Sequence, residues 1–342
     1  MTDLVVGNGA VGRLIAGSLA AGGRDVAIVR RAKLDGPARA ELTVIDAAGE
    51  RHTSSVTEVA RPVDLPSAPE LVVLAVKMFD LTEATASCAA WPSATCLTVS
   101  NGVGAEALVS RLRPGAGLIA GSLTTSVEVA ADRAVARLNR GGIGLAPVQG
   151  DVDSLIRSLV TAFADGGLRS ARIDDAAAMK WSKLVANLVG NATSAIVDQA
   201  PPTLFSNAGV FAIERRQVME ALAVTRRLGL VPVALPGVDV RLLALGMRLP
   251  PVIGRPIMRS AVGRGRGGKD PSLRIHARSG SGPSEVDWLN GAVADAAEKL
   301  GGAAPVNRAL TNLVHEILEE PARRDWFRGR PDRLVAEIDG RS

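Results

Sequence analysis

Apolar positions along this chain follow two rhythms. In the first half they come as short, almost unbroken runs: Leu4-Val5-Val6, Val26 to Val29, Leu71 to Val76 and Thr95 to Val99. Such runs, bounded by turn residues, predict strands buried on both faces. Between them lie stretches with apolar residues at helical spacing, beginning with Ala10 to Ala21, which Gly22-Gly23 stops. Alternation of the two predicts an α/β domain on a mainly parallel sheet. Gly49 splits the segment from Leu42 to Val56 into two short strand-like runs, read as a hairpin. Further β-type segments run from Leu118 to Val129 and from Ala134 to Leu145, followed by a helix from Asp151 to Ala164 and a strand around Ala171-Arg172-Ile173.

From Asp175 the rhythm is helical throughout. Helices are predicted from Asp175 to about Val197, Asn207 to Leu228, Val238 to Met247, Ser284 to Leu300 and Pro305 to Glu319. Pro201-Pro202, Pro250-Pro251 and Gly263 to Gly268 read as the breaks between them. The predicted architecture is an α/β domain over residues 1–173 and an all-helical domain over 174–342.

Composition narrows the class. The 342 residues suffice for two cores, and 47% hydrophobic with 22% charged residues is a globular balance. No apolar run approaches the ~20 residues of a membrane span. Met1-Thr2-Asp3 leads directly into a strand, and Cys88 and Cys96 are the only cysteines. A cytoplasmic protein without a disulfide framework is the expectation. A net charge of +5 raises the question of nucleic acid. With no Tyr and no basic patch interleaved with aromatics, neither nucleic acid nor membrane is expected as a partner. A phosphate-bearing cofactor or an acidic small molecule accounts for the charge equally well. His52, His276 and His315 are scattered, so no metal is expected. Oligomeric state is not legible, with a homodimer kept as a candidate.

Candidate chemistry starts at Gly7-Asn8-Gly9-Ala10-Val11-Gly12, set between a strand and a helix. In that context Gly7 allows the tight turn, Gly9 lets the backbone approach a pyrophosphate, and Gly12 permits close helix–strand packing. This is the Rossmann-type dinucleotide-binding pattern. Arg30 and Arg31 end the second strand, where a carboxylate would accept from both hydroxyls of an NAD ribose. Arginine instead binds a 2′-phosphate through its planar fork, so the pair points to NADPH, against the plainer reading of a solvated strand end. Lys77 and Asn101-Gly102 follow the next two strands and fall where open parallel sheets bind ligands.

In "KWSKLVANLVGNATSAI", Lys183, Asn187 and Asn191 are spaced i, i+4, i+8, which aligns them on one face of a single helix. Asparagines on an otherwise apolar stripe need polar partners, supplied by a ligand or by solvent. Lys180, three residues before Lys183, is less aligned with Asn187 and is expected to matter little. "SEVDWLNG" opens another helix with Ser284 as cap and Glu285 and Asp287 in the first turn, an ordinary dipole arrangement. "GRGRGGKD" (Gly263 to Asp270) mimics P-loop spacing, but it lacks the Ser or Thr and the preceding strand.

Together, in order and over nearly the whole chain, these motifs resemble the ketopantoate reductase family (2-dehydropantoate 2-reductase). The glycine turn, Lys77 in "LAVKMFD", Asn101-Gly102, the W-x-K-L-x-x-N pattern of Trp181 to Asn187, Ser284 to Gly291 and Pro305 to Asn307 carry the likeness. The resemblance implies NADPH-dependent reduction of a 2-oxo acid, ketopantoate, held between the two domains. It implies Lys183 as general acid, Glu285 holding substrate and lysine, and Asn187 and Asn191 binding hydroxyl groups. Asn101 would stand near nicotinamide and substrate, and Ser272 would be the substrate serine. The chain departs from the family in Arg274-Ile275, where Gln-Asp is common, and in the basic, glycine-rich stretch from Arg255 to Lys269. Another branched 2-oxo acid, a specialised-metabolism ketone, or an NADPH-sensing protein without turnover stay open as alternatives.

Overall fold

The computed structural model describes residues 2–30, 36–265, 268–280 and 282–341. In chain order the first elements are β1 (Thr2–Val6), α1 (Ala10–Ala21), β2 (Asp25–Val29), β3 (Ala38–Ile45), β4 (Arg51–Val59), β5 (Leu71–Leu74), α2 (Leu81–Ser87), β6 (Thr95–Thr98), α3 (Ala105–Leu112) and β7 (Leu118–Leu123). They are followed by β8 (Val127–Val129), β9 (Val135–Arg137), β10 (Gly142–Gln149), α4 (Asp153–Asp165), β11 (Arg169–Arg172) and α5 (Ala176–Leu188). The chain divides into two compact units, Met1–Lys180 with Leu235–Val238, and Trp181–Ala234 with Asp239–Ser342. The division falls inside α5, whereas the 173/174 boundary read from the sequence lies just ahead of that helix.

The first unit holds one sheet in the order β11-β10-β7-β6-β5-β1-β2-β4-β3-β9-β8. Strands β7, β6, β5, β1, β2 and β4 run parallel. The unbroken apolar runs are these central strands, and all four residues of β5 are buried. On one face Val5, Ile28, Val73 and Leu97 pack against Leu14, Ile15 and Leu19 of α1 and Ile156, Leu159 and Phe163 of α4. The hairpin about Gly49 forms as β3 and β4, in antiparallel register from Ala38↔Glu58 to Ile45↔Arg51. Strand β1 lies between β2 and β5, so the chain reverses its direction across the sheet there. The carboxyl ends of β1 and β5 thus form the switch point at which such sheets bind ligands.

The second unit is helical: α6 (Ala192–Val197), α7 (Pro201–Leu204), α8 (Ala208–Arg227), α9 (Val240–Arg248), α10 (Pro251–Gly265), α11 (Ser272–Ser279), α12 (Asn290–Lys299), α13 (Pro305–Glu319), α14 (Pro321–Phe327) and α15 (Pro331–Arg341). A buried polar chain runs through its core. Asn290 donates to Gln217 Oε1 and Asn307 Oδ1, at 2.8 and 2.9 Å, and Asn307 donates to Glu220 at 2.7 Å. Two of the motif asparagines are therefore structural.

Three expectations change. The helix read from Asp175 to Val197 is broken: Gly190 takes φ +62° and α6 starts afresh at Ala192. Fully buried Glu214 accepts the Gly190 amide at 2.8 Å, and a side chain at position 190 would stand 2.8 Å from Pro201 Cβ. The chain does break at Pro250-Pro251, but a further helix, α10, starts there, because a first helical residue needs no N–H, and it runs to Gly265, into the stretch read as the next break. Finally, Glu285–Trp288 forms a separate 3₁₀ turn ahead of α12.

Candidate functional site

The glycine turn follows from sterics. Gly7 has φ +119°, and a Cβ there would meet Ala75 O at 2.3 Å. A Cβ on Gly12 would lie 1.8 Å from Gly7 O. Around Gly9 nothing comes within 4 Å of the Cβ position, so the turn is tight on two sides and open on the third. Gly9 is also the N-cap residue of α1, which has no side-chain cap and no acid in its first turn. Its leading N–H groups and dipole make a site suited to a phosphate. A dinucleotide's pyrophosphate fits this cradle. Asn8, Ala10 and Val11 complete the turn and the first helical residues.

Arg30 stands at the end of β2, and its guanidinium donates to Glu58 at 2.7 Å. Arg31 lies outside the described residues. Sequence reasoning missed Arg13, which is 8% exposed in the first turn of α1. It donates to Arg133 O at 2.5 Å, and its buried Nε has no hydrogen-bond partner among the described residues. Burial lowers its pKa; Arg133 and Arg30 add to that, while Glu58 opposes it. A cation at a helix N-terminus works against the dipole, and that was the signal available in the sequence.

Past β5 and β6 the strand ends are tied together. Lys77 is exposed and Asn101 half-buried. Ser100 Oγ donates to Val76 O at 2.9 Å. Lys180, read as incidental, is buried, with Nζ 2.7 Å from Ser100 O and 3.2 Å from Glu106 Oε1. Thr98 Oγ1 donates to the same carboxylate oxygen at 2.7 Å. Pairing of a lysine with strand-end groups some 60 to 80 positions earlier has no local signature; the separation from Ser100 is 80 residues.

In the second unit, Lys183 and Asn187 are half-buried one turn apart on α5. Asn191 is not on that helix. It is the N-cap residue of α6, and its Oδ1 accepts the Leu273 amide at 3.1 Å. It thereby fixes the start of α11, where Ser272 is the first residue. Arg274, the departure from the family pattern, is a clamp: it donates to Asp198 at 3.0 Å and Asp270 at 2.6 Å. Glu285 is 5% exposed and opens the 3₁₀ turn, with Ser284 Oγ accepting from the Val286 amide at 3.2 Å.

Other chemistry-bearing groups stand apart from these. Asp46, Glu50 and His52 bring ligand atoms within 4.8 Å of one another at the β3–β4 turn, a proximity sequence spacing did not suggest. There Asp46 Oδ1 already accepts the amides of Ala48 and Glu50, as a turn-forming aspartate does. Burial pushes the Cys96 thiol up to about 11, which leaves it unreactive. Among the described residues no helix is long and apolar enough to cross a membrane.

The family described as Ketopantoate reductase PanE/ApbA matches residues 4–150, and its C-terminal counterpart matches residues 175–318. The 2-dehydropantoate 2-reductase of Halobacterium salinarum is 26% identical over 330 residues, covering 92% of this chain and 98% of its own length. Among solved structures, a PanE/ApbA family ketopantoate reductase from Ralstonia eutropha JMP134 superposes with a TM-score of 0.76 at 24% identity, over 94% of this chain and all of that one. D-mandelate dehydrogenase, solved with NADH and anilino(oxo)acetate, has a TM-score of 0.74 at 18% identity, over 96% of this chain and 99% of its own. These two share the fold: an N-terminal Rossmann-like domain and a helical C-terminal region. The family matches take in the glycine turn, both strand ends, the Lys183 helix and the Glu285 turn, and the chain belongs to the ketopantoate reductase family.

Proposed function

We propose that this protein reduces 2-dehydropantoate to pantoate with NADPH. The observation that carries the reading is Lys183, half-buried one turn from Asn187 in the stretch matched by the family's C-terminal region. Bound NADPH supplies the hydride for the substrate's C2. The Gly7–Gly12 turn and the α1 N-terminus hold the pyrophosphate, Arg30 and Arg31 the 2′-phosphate, and Lys77 and Asn101 serve the nicotinamide end. Lys183 stabilises negative charge growing on the carbonyl oxygen and then gives it a proton, completing the hydroxyl. Glu285 keeps that ammonium charged and oriented while accepting from a substrate hydroxyl. Asn187 and Asn191 read hydroxyl oxygen. Asn191 Oδ1 already accepts the Leu273 amide, which leaves the side chain one further acceptor site and its two N–H donors for a substrate hydroxyl.

A second reading takes a different 2-oxo acid on the same machinery. It is favoured by the Arg274 clamp next to Ser272, where the family pattern is replaced. Oxidation of NADPH and NADH measured over ketopantoate, 2-oxoisovalerate and phenylglyoxylate separates the two. At least tenfold higher kcat/KM for ketopantoate than for 2-oxoisovalerate is expected, because only the former has the hydroxyl. Equal values, or a preference for phenylglyoxylate, favour the second reading. Cofactor binding without turnover of any 2-oxo acid leaves a binding protein.

A further inference from the structure

Lys180 carries a buried ammonium that the proposed chemistry does not use. Burying such a charge is costly unless its protons find acceptors. Its nearest acceptor is not the Glu106 carboxylate, at 3.2 Å, but the main-chain carbonyl of Ser100, at 2.7 Å. Ser100 in turn donates its hydroxyl to Val76 O at 2.9 Å. Each carbonyl held this way belongs to the residue directly ahead of a candidate cofactor residue: Val76 precedes Lys77, and Ser100 precedes Asn101. A peptide unit is planar, so fixing a carbonyl fixes the next N–H and the direction in which the next residue leaves.

The restraint answers a local need. Ser100 lies beyond the end of β6, and Gly102 and Gly104 follow at φ +81° and +106°. Glycines leave a backbone many conformations, so this segment has little intrinsic stiffness of its own. Glu106, oriented by Thr98, sets where the ammonium stands. We infer that Lys180 is a positioning residue, holding the Ser100–Asn101 peptide plane so that Asn101 is presented to the nicotinamide end of the dinucleotide. This rests on the NADPH reading above.

The test compares two probes, NADPH and 2′,5′-ADP, which retains the adenosine and 2′-phosphate but lacks the nicotinamide. In Lys180→Met, 2′,5′-ADP affinity should stay within about twofold of the parent while NADPH binds at least fivefold more weakly, and kcat should fall by 10-fold or more. The double variant Lys180→Met/Glu106→Gln removes both charges together, so no unpaired carboxylate is left to disturb folding, and it should show the same divergence. A purely structural lysine would instead lower both affinities in parallel with the melting temperature. Parallel losses in both variants, or unchanged NADPH affinity, overturn the inference. If the unmutated protein binds neither probe, the cofactor reading fails first, and the inference falls with it.

Discussion

Arg30, proposed to hold a 2′-phosphate, already has a partner in Glu58. Its guanidinium is 34% exposed and donates at 2.7 Å to Glu58, which is 13% exposed, so the pair is partly shielded from solvent. Arginine has five N–H donors, and one carboxylate does not exhaust them. A 2′-phosphate placed there gains from Arg30 and is repelled by Glu58. An unmodified ribose could use Glu58 as an acceptor. Glu58→Gln should therefore raise the preference for NADPH over NADH by about three- to tenfold, or ~0.7–1.4 kcal/mol. Arg30→Ala should cut the same preference, since the carboxylate then acts alone. Fluorescence titration with both cofactors measures the ratio, and an unchanged ratio in Glu58→Gln removes Glu58 from cofactor selection. Arg30 was legible because it ends an apolar strand. Glu58 was not, because its approach depends on β2 pairing with β4, which sets Ile28 beside Glu58. Lys180 escaped for the same reason: its partners are brought in by strand order, which residue spacing does not encode.

At the scale of elements, the stripe Lys183-Asn187-Asn191 shows what periodicity can and cannot do. Its i, i+4 half is real, on α5. The third member continues the rhythm across a helix end, because the left-handed Gly190 lets a new helix start without disturbing the apolar spacing. The buried acceptor that holds this break, Glu214, sits on α8, out of reach of a local reading. Asn191 and Asp198 bracket α6, and each ties it to α11: Asn191 through the Leu273 amide, Asp198 through Arg274 and Arg278, at 3.0 and 2.7 Å. Burial pushes the Asp198 carboxyl pKa up, but the two guanidiniums outweigh it and hold it below its usual range. A carboxylate with a depressed folded pKa gives stability that is present above its unfolded pKa, about 4, and is lost as pH falls through the folded value. Asp198→Asn should thus cost about 2 kcal/mol at pH 7, as loss of charged hydrogen bonds does. The difference from the parent should shrink as pH is lowered below about 4. Urea denaturation at pH 7, 5 and 3.5 reads this, and a difference that stays constant with pH would show that the clamp works without the charge.

For the whole molecule, the two rhythms of the sequence correspond to two kinds of core. Unbroken apolar runs became the parallel strands, buried on both faces, and helical spacing became the second unit. Burial dictates that much, so fold class was readable throughout. The candidate chemistry divides along the same line. Gly7 to Gly12, Arg30, Lys77 and Asn101 all belong to the unit Met1–Lys180, while Lys183, Asn187, Asn191, Ser272 and Glu285 belong to the other. A division of this kind predicts separable defects. Lys183→Ala removes the proposed proton donor and replaces none of the residues assigned to the cofactor. It should lower kcat by roughly 10²–10⁴ and leave the Kd for NADPH within about twofold. A lysine that served only to stabilise the helix would act through folding, so kcat per correctly folded molecule would survive. Circular dichroism on the variant establishes folding, fluorescence titration the cofactor affinity, and steady-state kinetics the chemical step. Retention of most of kcat in a folded Lys183→Ala protein would take the proton transfer away from this residue.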